Sequence, residues 1–270
     1  MNSFTHDGLS FDLDDAGPAD GDVIVLLHGF PESKASWREV TPLLTAAGYR
    51  VLAPNQRGYA PGARPRARRA YTLDKLAADV LAMADAAGVE RFHVVGHDWG
   101  GGVVWELAAN HADRVVTATS LATPHPRAML RARQLVKSWY MGAFQLPALP
   151  ELAMRGRGFW RQMERSGMPA DFVTEYRALL RGVGAARGAL NWYRALPFSS
   201  PNGVGTVSVP TLYVYGTADF ALGRAAADAT RNFVTGPYRY EVLEGVSHWI
   251  PEEVPETVAS LVLEFISTDR

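Results

Sequence analysis

The stretch Gly96-His97-Asp98-Trp99-Gly100, which Gly101 and Gly102 extend, directly follows the apolar run Phe92 to Val95. Glycine stands two positions before and two positions after Asp98, where the backbones of a strand and a helix nearly touch in a sharp, strained turn. A larger side chain at either position would clash. The stretch therefore predicts a strand, a tight turn with Asp98 at its tip, and a helix.

The residue at the tip indicates the kind of chemistry. A serine there would have to lose a proton before it attacked a carbonyl group. A carboxylate is already an anion at neutral pH, and it can displace a leaving group from saturated carbon. Asp98 is therefore a candidate nucleophile.

The composition is typical of a globular α/β protein. The chain has 270 residues, 47% of them hydrophobic and 20% charged, with a formal net charge of -1. This balance argues against disorder and against a nucleic-acid partner. The chain contains no cysteine, which excludes disulfides and thiolate ligands.

No targeting or membrane segment is visible in the sequence. Residues 1–22 are polar and acidic, without the cationic start and apolar stretch of an export signal. The apolar runs are far shorter than the roughly 20 residues needed to cross a bilayer. We therefore expect no membrane partner and a cytoplasmic location.

Short apolar runs alternate with helical stretches along most of the chain. Six runs are predicted to be strands: Val23 to Leu27, Tyr49 to Ala53, Phe92 to Val95, Val115 to Leu121, Thr211 to Tyr215 and Tyr238 to Leu243. Three segments with apolar residues spaced at three and four are predicted to be helices: Leu73 to Ala87, Gly101 to Asn110 and Val254 to Ile266. The alternation predicts a twisted, mostly parallel sheet flanked by helices.

The alternation stops near Pro124 and resumes near Val209. We interpret residues 125–208 as a helical cap (lid) inserted into a core domain formed by residues 1–124 and 209–270. Residues 125–200 contain 11 arginines and one lysine against four acids, a charge of +8 that leaves -9 for the rest. A solvated basic face explains this charge. The alternatives are steering of an anionic substrate and binding to an acidic surface, including self-association into a homo-oligomer.

Asp219 and His248 are candidates to complete a triad with Asp98. In α/β-hydrolase sheets the chain order is nucleophile, acid, base, with the acid after a late strand and the histidine near the C-terminus. Asp219 follows the strand Thr211 to Tyr215, and His248 follows the strand Tyr238 to Leu243. Each residue alone is typical of an ordinary turn, but order and spacing together favour a catalytic triad.

The segment His28-Gly29-Phe30-Pro31 follows the first predicted strand. It would place the backbone N–H of Phe30 opposite that of Trp99, and two such donors form an oxyanion hole. An ester formed at Asp98 would be cleaved by water that His248, oriented by Asp219, deprotonates.

Neither a metal ion nor an organic cofactor is expected. No carboxylates or histidines occur at metal-ligand spacing, and no Gly-x-Gly-x-x-Gly follows the first strand. We interpret the remaining histidines as structural, because they lack a matched acid or fall on the surfaces of predicted elements: His6, His93, His97, His111 and His125.

Two electrophiles suit a carboxylate that attacks saturated carbon, an epoxide and a carbon–halogen bond. An epoxide leaves as a strongly basic alkoxide, so its opening needs an acid such as tyrosine, whose pKa is about 10. A halide needs only N–H donors. Tyr140 and Tyr193 lie in separate helical parts of the cap, from which both could reach Asp98.

The motifs together resemble those of the α/β-hydrolase-fold epoxide hydrolases, and the likeness spans nearly the whole chain. The resemblance rests on six segments: His28-Gly29-Phe30-Pro31, Asn55-Gln56-Arg57-Gly58-Tyr59, Gly96 to Gly101, Ser138-Trp139-Tyr140, Asn191-Trp192-Tyr193-Arg194 and Ser247-His248-Trp249. It implies that Tyr140 and Tyr193 bind and protonate the epoxide oxygen. It also implies an α/β-hydrolase fold and the hydrolysis of small apolar epoxides to vicinal diols. One departure is Asn55, where the family more often has aspartate, and we expect it to be a structural adjustment.

Two alternatives stay open. In the related haloalkane dehalogenases a tryptophan after the nucleophile donates to halide, as Trp99 would, and a second donor follows His-Gly or comes from the cap. Phe30 cannot donate from its side chain, but the cap holds Trp139, Trp160 and Trp192. The other alternative is a non-catalytic ligand receptor on the same fold.

Apolar side chains in the cap indicate a mainly apolar pocket. These side chains are Trp139, Phe144, Leu146, Leu149, Phe159 and Trp160, and the sequence does not indicate which of them point inward.

Overall fold

One eight-stranded sheet runs through the molecule in the computed structural model, which describes residues 1–130, 139–199 and 203–268. The strands are β1 (Ser3–His6), β2 (Leu9–Ala16), β3 (Val23–Leu27), β4 (Arg50–Pro54), β5 (Phe92–His97), β6 (Val115–Leu121), β7 (Thr211–Gly216) and β8 (Tyr238–Leu243). Their order is β1-β2-β4-β3-β5-β6-β7-β8. The strands from β3 to β8 pair in parallel, whereas β1 and β2 are antiparallel. The predicted mostly parallel sheet is confirmed.

The six predicted strands are present; three have the predicted ends, and the other three differ by one or two residues. β1 and β2 were not predicted. In β2 the buried side chains of Phe11 and Leu13 alternate with the acidic side chains of Asp12 and Asp14, which face away from the core. Such a half-buried strand contains too few apolar residues in a row to resemble the buried strands, although it keeps the two-residue period.

Helices cover both faces of the sheet and bury its apolar side chains. Every residue of β3 and β5 is buried, which explains why these strands are nearly continuous apolar runs. The core helices are α1 (Val40–Ala46), α2 (Leu73–Ala86), α3 (Trp99–Asn110), α9 (Arg224–Ala229), α10 (Ile250–Glu253) and α11 (Pro255–Ser267). The pair α2 and α3 covers one face and the pair α1 and α11 the other, and the sheet separates two apolar clusters.

The inserted segment between β6 and β7 is helical. Its described residues form α4 (Trp139–Ala143), α5 (Leu149–Arg155), α6 (Arg157–Arg165), α7 (Ala170–Leu180) and α8 (Ala185–Arg194). Arg38 of the core pairs with Asp171 and Glu175 of α7 and stacks on the ring of Phe172. The segment therefore packs over the edge of the sheet where the parallel strands end.

In the described part of the chain, the helices are too short or too polar to span a membrane.

Candidate active site

Asp98 lies at the tip of the turn between β5 and α3. Its backbone has φ of 48° and ψ of -120°, in the left-handed region that costs a non-glycine residue conformational energy. A Cβ atom on Gly96 would overlap the carbonyl of Gly100, and one on Gly100 would overlap the carbonyl of Leu27. Close packing of β3, β5 and α3 therefore requires both glycines and keeps Asp98 in the strained turn.

The structure brings the three predicted triad residues together. The Nδ1 atom of His248 lies 2.8 Å from Oδ2 of Asp219, and its Nε2 atom lies 3.5 Å from Oδ2 of Asp98. The other oxygen of Asp219 accepts the backbone N–H groups of Ala221 and Leu222 at 2.7 and 2.8 Å. Three hydrogen bonds thus fix the carboxylate of Asp219, which orients the imidazole of His248 toward Asp98.

The charges of the triad determine its protonation. Burial alone would lower the pKa of His248, but the carboxylates of Asp219 and Asp98 outweigh burial and raise this pKa well above 6.5. Burial raises the pKa of Asp98, yet the hydrogen bond and charge of His248 outweigh it and lower this pKa below 3.8. The resting site therefore contains an imidazolium ion between two carboxylates.

One of the two backbone donors expected for the oxyanion hole contacts Asp98. The backbone N–H of Phe30 donates to Oδ1 of Asp98 at 2.8 Å. Trp99 is the first residue of α3, and its ring lies perpendicular to that of Tyr193 with the centroids 5.1 Å apart. One carboxylate oxygen of Asp98 is thus anchored, while the other faces His248.

A cavity of about 270 Å³ adjoins Asp98 and is also lined by Trp99, Tyr140 and Tyr193. The two tyrosine rings, on α4 and α8, have centroids 6.2 Å apart. Burial and the nearby charge of Asp98 raise the pKa of both phenols. Both tyrosines therefore remain protonated at neutral pH and are able to donate.

The lining is mainly apolar, as expected, but the cap residues that suggested an apolar pocket do not line it where they are described. Phe144 and Phe159 pack on Phe30, while Leu146 and Leu149 are exposed and Trp160 is buried within the inserted segment. Ser138 and the side chain of Trp139 lie outside the described residues. The apolar lining consists of Leu73, Gly102, Pro126, Met129, Met141, Leu196 and Leu222. Helical spacing identified apolar positions, but it did not show which of them face Asp98.

Contacts with the core hold α8, and hence Tyr193, in place. Gly188 of α8 approaches Gly58 so closely that a Cβ on Gly58 would lie 2.7 Å from the Gly188 carbonyl oxygen. The indole of Trp192 donates to the carbonyl of Arg57 at 2.7 Å. The Arg57 guanidinium in turn pairs with the buried carboxylate of Asp79 at 2.6 and 2.7 Å. The segment 55–59 therefore supports the position of Tyr193.

Asn55 has the structural role expected of it. Its amide donates to Oδ2 of Asp12 at 2.8 Å, and its carbonyl oxygen accepts the backbone N–H of Lys34 at 3.0 Å. An amide makes both bonds, whereas an aspartate at position 55 would place its carboxylate next to the carboxylate of Asp12 and repel it.

The interpretation that His97 lacks a matched acid is wrong. Its Nδ1 lies 2.8 Å from Oε1 of Glu32, and its Nε2–H donates to the carbonyl of His248 at 2.8 Å. Burial and the Glu32 charge raise the pKa of Glu252 to about 8, and Glu252 accepts the hydroxyl of Tyr176 on α7. His6 likewise pairs with an acid, Asp79, at 2.7 Å. These partners are distant in sequence, so local patterns gave no sign of them.

Glu32, His97 and Glu252 have ligand-type atoms within 4.8 Å of one another, a spacing that a metal ion requires. His97 and Glu32 already contact each other directly, and the charge of Glu32 raises the pKa of His97 despite burial. An ion pair therefore accounts for two of the three groups without a metal.

Comparisons with known proteins agree with the fold. Residues 22–255 match the family model described as alpha/beta hydrolase fold. The chain is 33% identical to Epoxide hydrolase A of Mycobacterium tuberculosis and 35% identical to AB hydrolase superfamily protein YfhM of Bacillus subtilis. Each match covers 96% of this chain and 95% of the relative.

A solved structure, Epoxide Hydrolase A from Mycobacterium thermoresistibile, superposes with a TM-score of 0.87 at 29% identity. The match covers 98% of this chain and 97% of that one. The chain belongs to the α/β-hydrolase fold family and, within it, to the epoxide hydrolases.

Proposed function

We propose that this enzyme hydrolyses small apolar epoxides to vicinal diols through a covalent ester on Asp98. One observation carries the proposal. The carboxylate of Asp98 has one oxygen bound by the Phe30 N–H and the other facing His248, and it adjoins a cavity lined by two protonated tyrosines. A nucleophile, a base and two acids thus surround one space.

In the first step, Oδ2 of Asp98 attacks a ring carbon and the bond from that carbon to the epoxide oxygen breaks. The oxygen takes a proton from Tyr140 or Tyr193, while the other hydroxyl donates a hydrogen bond to it. Burial raises the pKa of both phenols, but an alkoxide is a stronger base than a phenolate, so the transfer remains favourable.

In the second step the ester has removed the negative charge of Asp98, so His248 gives its proton to the phenolate that the first step left on the tyrosine. Water then attacks the carbonyl carbon of the ester, and the neutral imidazole of His248 accepts its proton. Negative charge then develops on the oxygen of Asp98 that the Phe30 N–H binds, and we assign the N–H of Trp99 as the second donor. Collapse of this intermediate expels the diol oxygen, which takes a proton from His248. The new carboxyl group then returns a proton to His248, which restores the carboxylate of Asp98. Asp219 stabilises the imidazolium that forms.

We further propose that residues 125–208 act as a cap on a core made of residues 1–124 and 209–270. The helices α4 and α8 supply the two acids from above, and the turn after β5 supplies the nucleophile from below. Two separate parts of the fold would thus enclose the substrate and exclude water.

Haloalkane dehalogenation has less support than epoxide opening. The indole N–H groups of Trp160 and Trp192 donate to the carbonyls of Met154 and Arg57, at 2.7 Å in each case. Both are therefore engaged away from the cavity, and the side chain of Phe30 has no donor. A non-catalytic receptor role is also disfavoured, because the nucleophile, base and acid lie at catalytic distances from one another.

A single-turnover experiment in water enriched in ¹⁸O tests the ester. With enzyme in excess over 1,2-epoxyhexane, we expect label in the carboxylate of Asp98 and unlabelled oxygen in the diol, because water attacks the ester carbonyl. Mass spectrometry of the Asp98 peptide measures the label, and the Asp219 peptide is the matched control. Label in the diol alone, with none in Asp98, would refute the ester route.

A further inference from the structure

Apart from the inserted segment and the turn and helix around Asp98, the cavity is lined by residues that follow β6 and β7 and by Leu73 at the start of α2. In the sheet, β5 lies between β3 and β6, so the turn that carries Asp98 has a β3 side and a β6 side. Thr123 and Pro126, which follow β6, and Leu222, which follows β7, line the cavity together with Gly102 of α3. Space for a substrate substituent therefore lies on the β6 side of the nucleophile.

Aromatic rings fill the β3 side. Phe30 follows β3, and its ring centroid lies 5.0 Å from that of Tyr193, 5.5 Å from Phe144 and 6.4 Å from Phe159. Phe30 is only 7% exposed, and Phe30, Phe144 and Phe159 do not line the cavity. A substituent that pointed in this direction would have to displace closely packed rings.

The direction of attack makes this asymmetry important. The Phe30 N–H binds Oδ1 of Asp98, which leaves Oδ2 to attack the ring carbon. The two ring carbons of an epoxide held beneath Tyr140 and Tyr193 carry their substituents in opposite directions. One of these directions leads into the cavity, and the other leads to the rings around Phe30.

The size and chemistry of the cavity restrict the substituent further. Its volume of about 270 Å³ is at the lower end of the range of about 300–1,000 Å³ typical of small-molecule sites. Among the described residues that line the cavity, Asp98 alone has a charged side chain. A carboxylate or phosphate on the substrate would therefore meet a like charge, and the described cation next to it, His248, already pairs with Asp98 and Asp219.

The geometry points to terminal epoxides with a single uncharged, apolar substituent as the substrate class of this site, an inference that rests on the proposed epoxide hydrolysis. The substituent lies in the cavity on the β6 side. The unsubstituted ring carbon lies against Phe30, where only hydrogen atoms fit.

Two isomers of one formula test the inference, 1,2-epoxyhexane and trans-3,4-epoxyhexane. They have the same carbon count and the same polar atom, but only the second carries an alkyl group on each ring carbon. We expect kcat/KM to be about 10- to 200-fold higher for the terminal isomer, the range by which an apolar site rejects a poorly fitting alkyl group.

Variants separate this steric selection from the intrinsic reactivity of the two isomers. Phe144→Ala opens the β3 side, so we expect it to lower the terminal-to-internal ratio of kcat/KM by about tenfold, and Phe144→Leu should lower it less. Leu196→Ala is the matched control, because Leu196 already lines the cavity and its truncation enlarges the open space without removing a ring next to Phe30. We expect Leu196→Ala to leave the ratio unchanged.

The outcomes distinguish the two proposals. Equal kcat/KM for the two isomers in the wild-type enzyme would overturn the substrate class and leave epoxide hydrolysis intact. So would a ratio that neither Phe144 variant lowers. Should Phe144→Ala fail to fold, Phe144→Leu decides the same question. If neither isomer nor a panel of other epoxides yields any diol, the proposed function itself fails.

Discussion

At the scale of single residues, the charge of Asp98 affects the pKa of several neighbours in the site. Its carboxylate helps to raise the pKa of His248 and of both cavity tyrosines. These effects place protons where the proposed first step needs them, on the two phenols. They also keep His248 protonated for as long as Asp98 is ionised.

Asp98→Asn removes that charge, so we expect the pKa of His248 to fall. NMR titration of the imidazole in the wild type and the variant measures the change. In the wild type, the stabilisation due to the raised pKa is complete below pH of about 6.5 and is lost as the pH rises through the folded-state pKa. An unchanged imidazole titration in Asp98→Asn would contradict the proposed coupling.

Removing the hydroxyls of the cavity tyrosines should slow epoxide opening. We expect Tyr140→Phe and Tyr193→Phe each to lower kcat and the double variant to lower it by about 10²- to 10⁴-fold, the usual effect of losing general-acid catalysis. Pre-steady-state kinetics of ester formation measures this step.

Tyr59→Phe is the matched control for the tyrosine variants. Its hydroxyl is buried and has no hydrogen-bond partner among the described residues. Its loss should leave kcat near the wild-type value and should not reduce stability. The acid assignment is wrong if the double cavity variant opens epoxides as fast as Tyr59→Phe does.

At the scale of elements, the position of α8 relative to the core determines where Tyr193 stands. The helix lies against the loop at Gly58 with backbone touching backbone at Gly188, and Trp192 adds a hydrogen bond to the same loop. Glycine in a helix normally costs about 0.5–1 kcal/mol relative to alanine. At Gly188 the close approach reverses that preference.

Replacing glycine with alanine at two positions in helices of the inserted segment tests whether glycine is preferred at position 188. We expect Gly188→Ala to destabilise the fold by about 1–3 kcal/mol and to lower kcat, because a Cβ there overlaps the Gly58 carbonyl. Gly158→Ala in α6 should stabilise by about 0.5–1 kcal/mol, since a Cβ there meets no atom within 4 Å. Urea unfolding measures both, and equal effects would argue against a strict requirement for glycine at position 188.

At the scale of the whole molecule, one buried acid links the inserted segment to the core. Glu252 accepts the Tyr176 hydroxyl from α7, and burial and Glu32 raise its pKa to about 8. In the unfolded chain its pKa is near the ordinary value of 4.5. The folded protein therefore binds one more proton than the unfolded chain between these two values.

We expect this group to make the folded state less stable as the pH rises from about 5 to about 8, because the native state holds the proton that the unfolded chain has lost. Glu252→Gln keeps the acceptor for Tyr176 but cannot ionise. Urea unfolding of wild type and variant across this range should show a smaller loss of stability in the variant. Identical pH profiles would contradict the raised pKa.

The sequence predicts the parts of this molecule that depend on neighbours along the chain. The elbow at Asp98 and the buried strands follow from glycine spacing and apolar runs, and the order of Asp219 and His248 follows from the strands. The partnership of Glu32, His97 and Glu252 depends on tertiary packing alone, so spacing could not reveal it. Which residues line the cavity could not be predicted, because the lining depends on how each helix of the inserted segment is rotated.

The two outermost strands of the sheet have a consequence for aggregation. β1 has only four residues, which offers another chain few backbone groups to pair with. β8 carries Arg239 and Glu241, which pair with each other at 2.6 Å, and Arg239 also reaches Glu264 of α11. Charged side chains on an edge strand oppose the docking of a second sheet. If two copies of this protein associate, we therefore expect them to meet through helical surfaces rather than by extending the sheet.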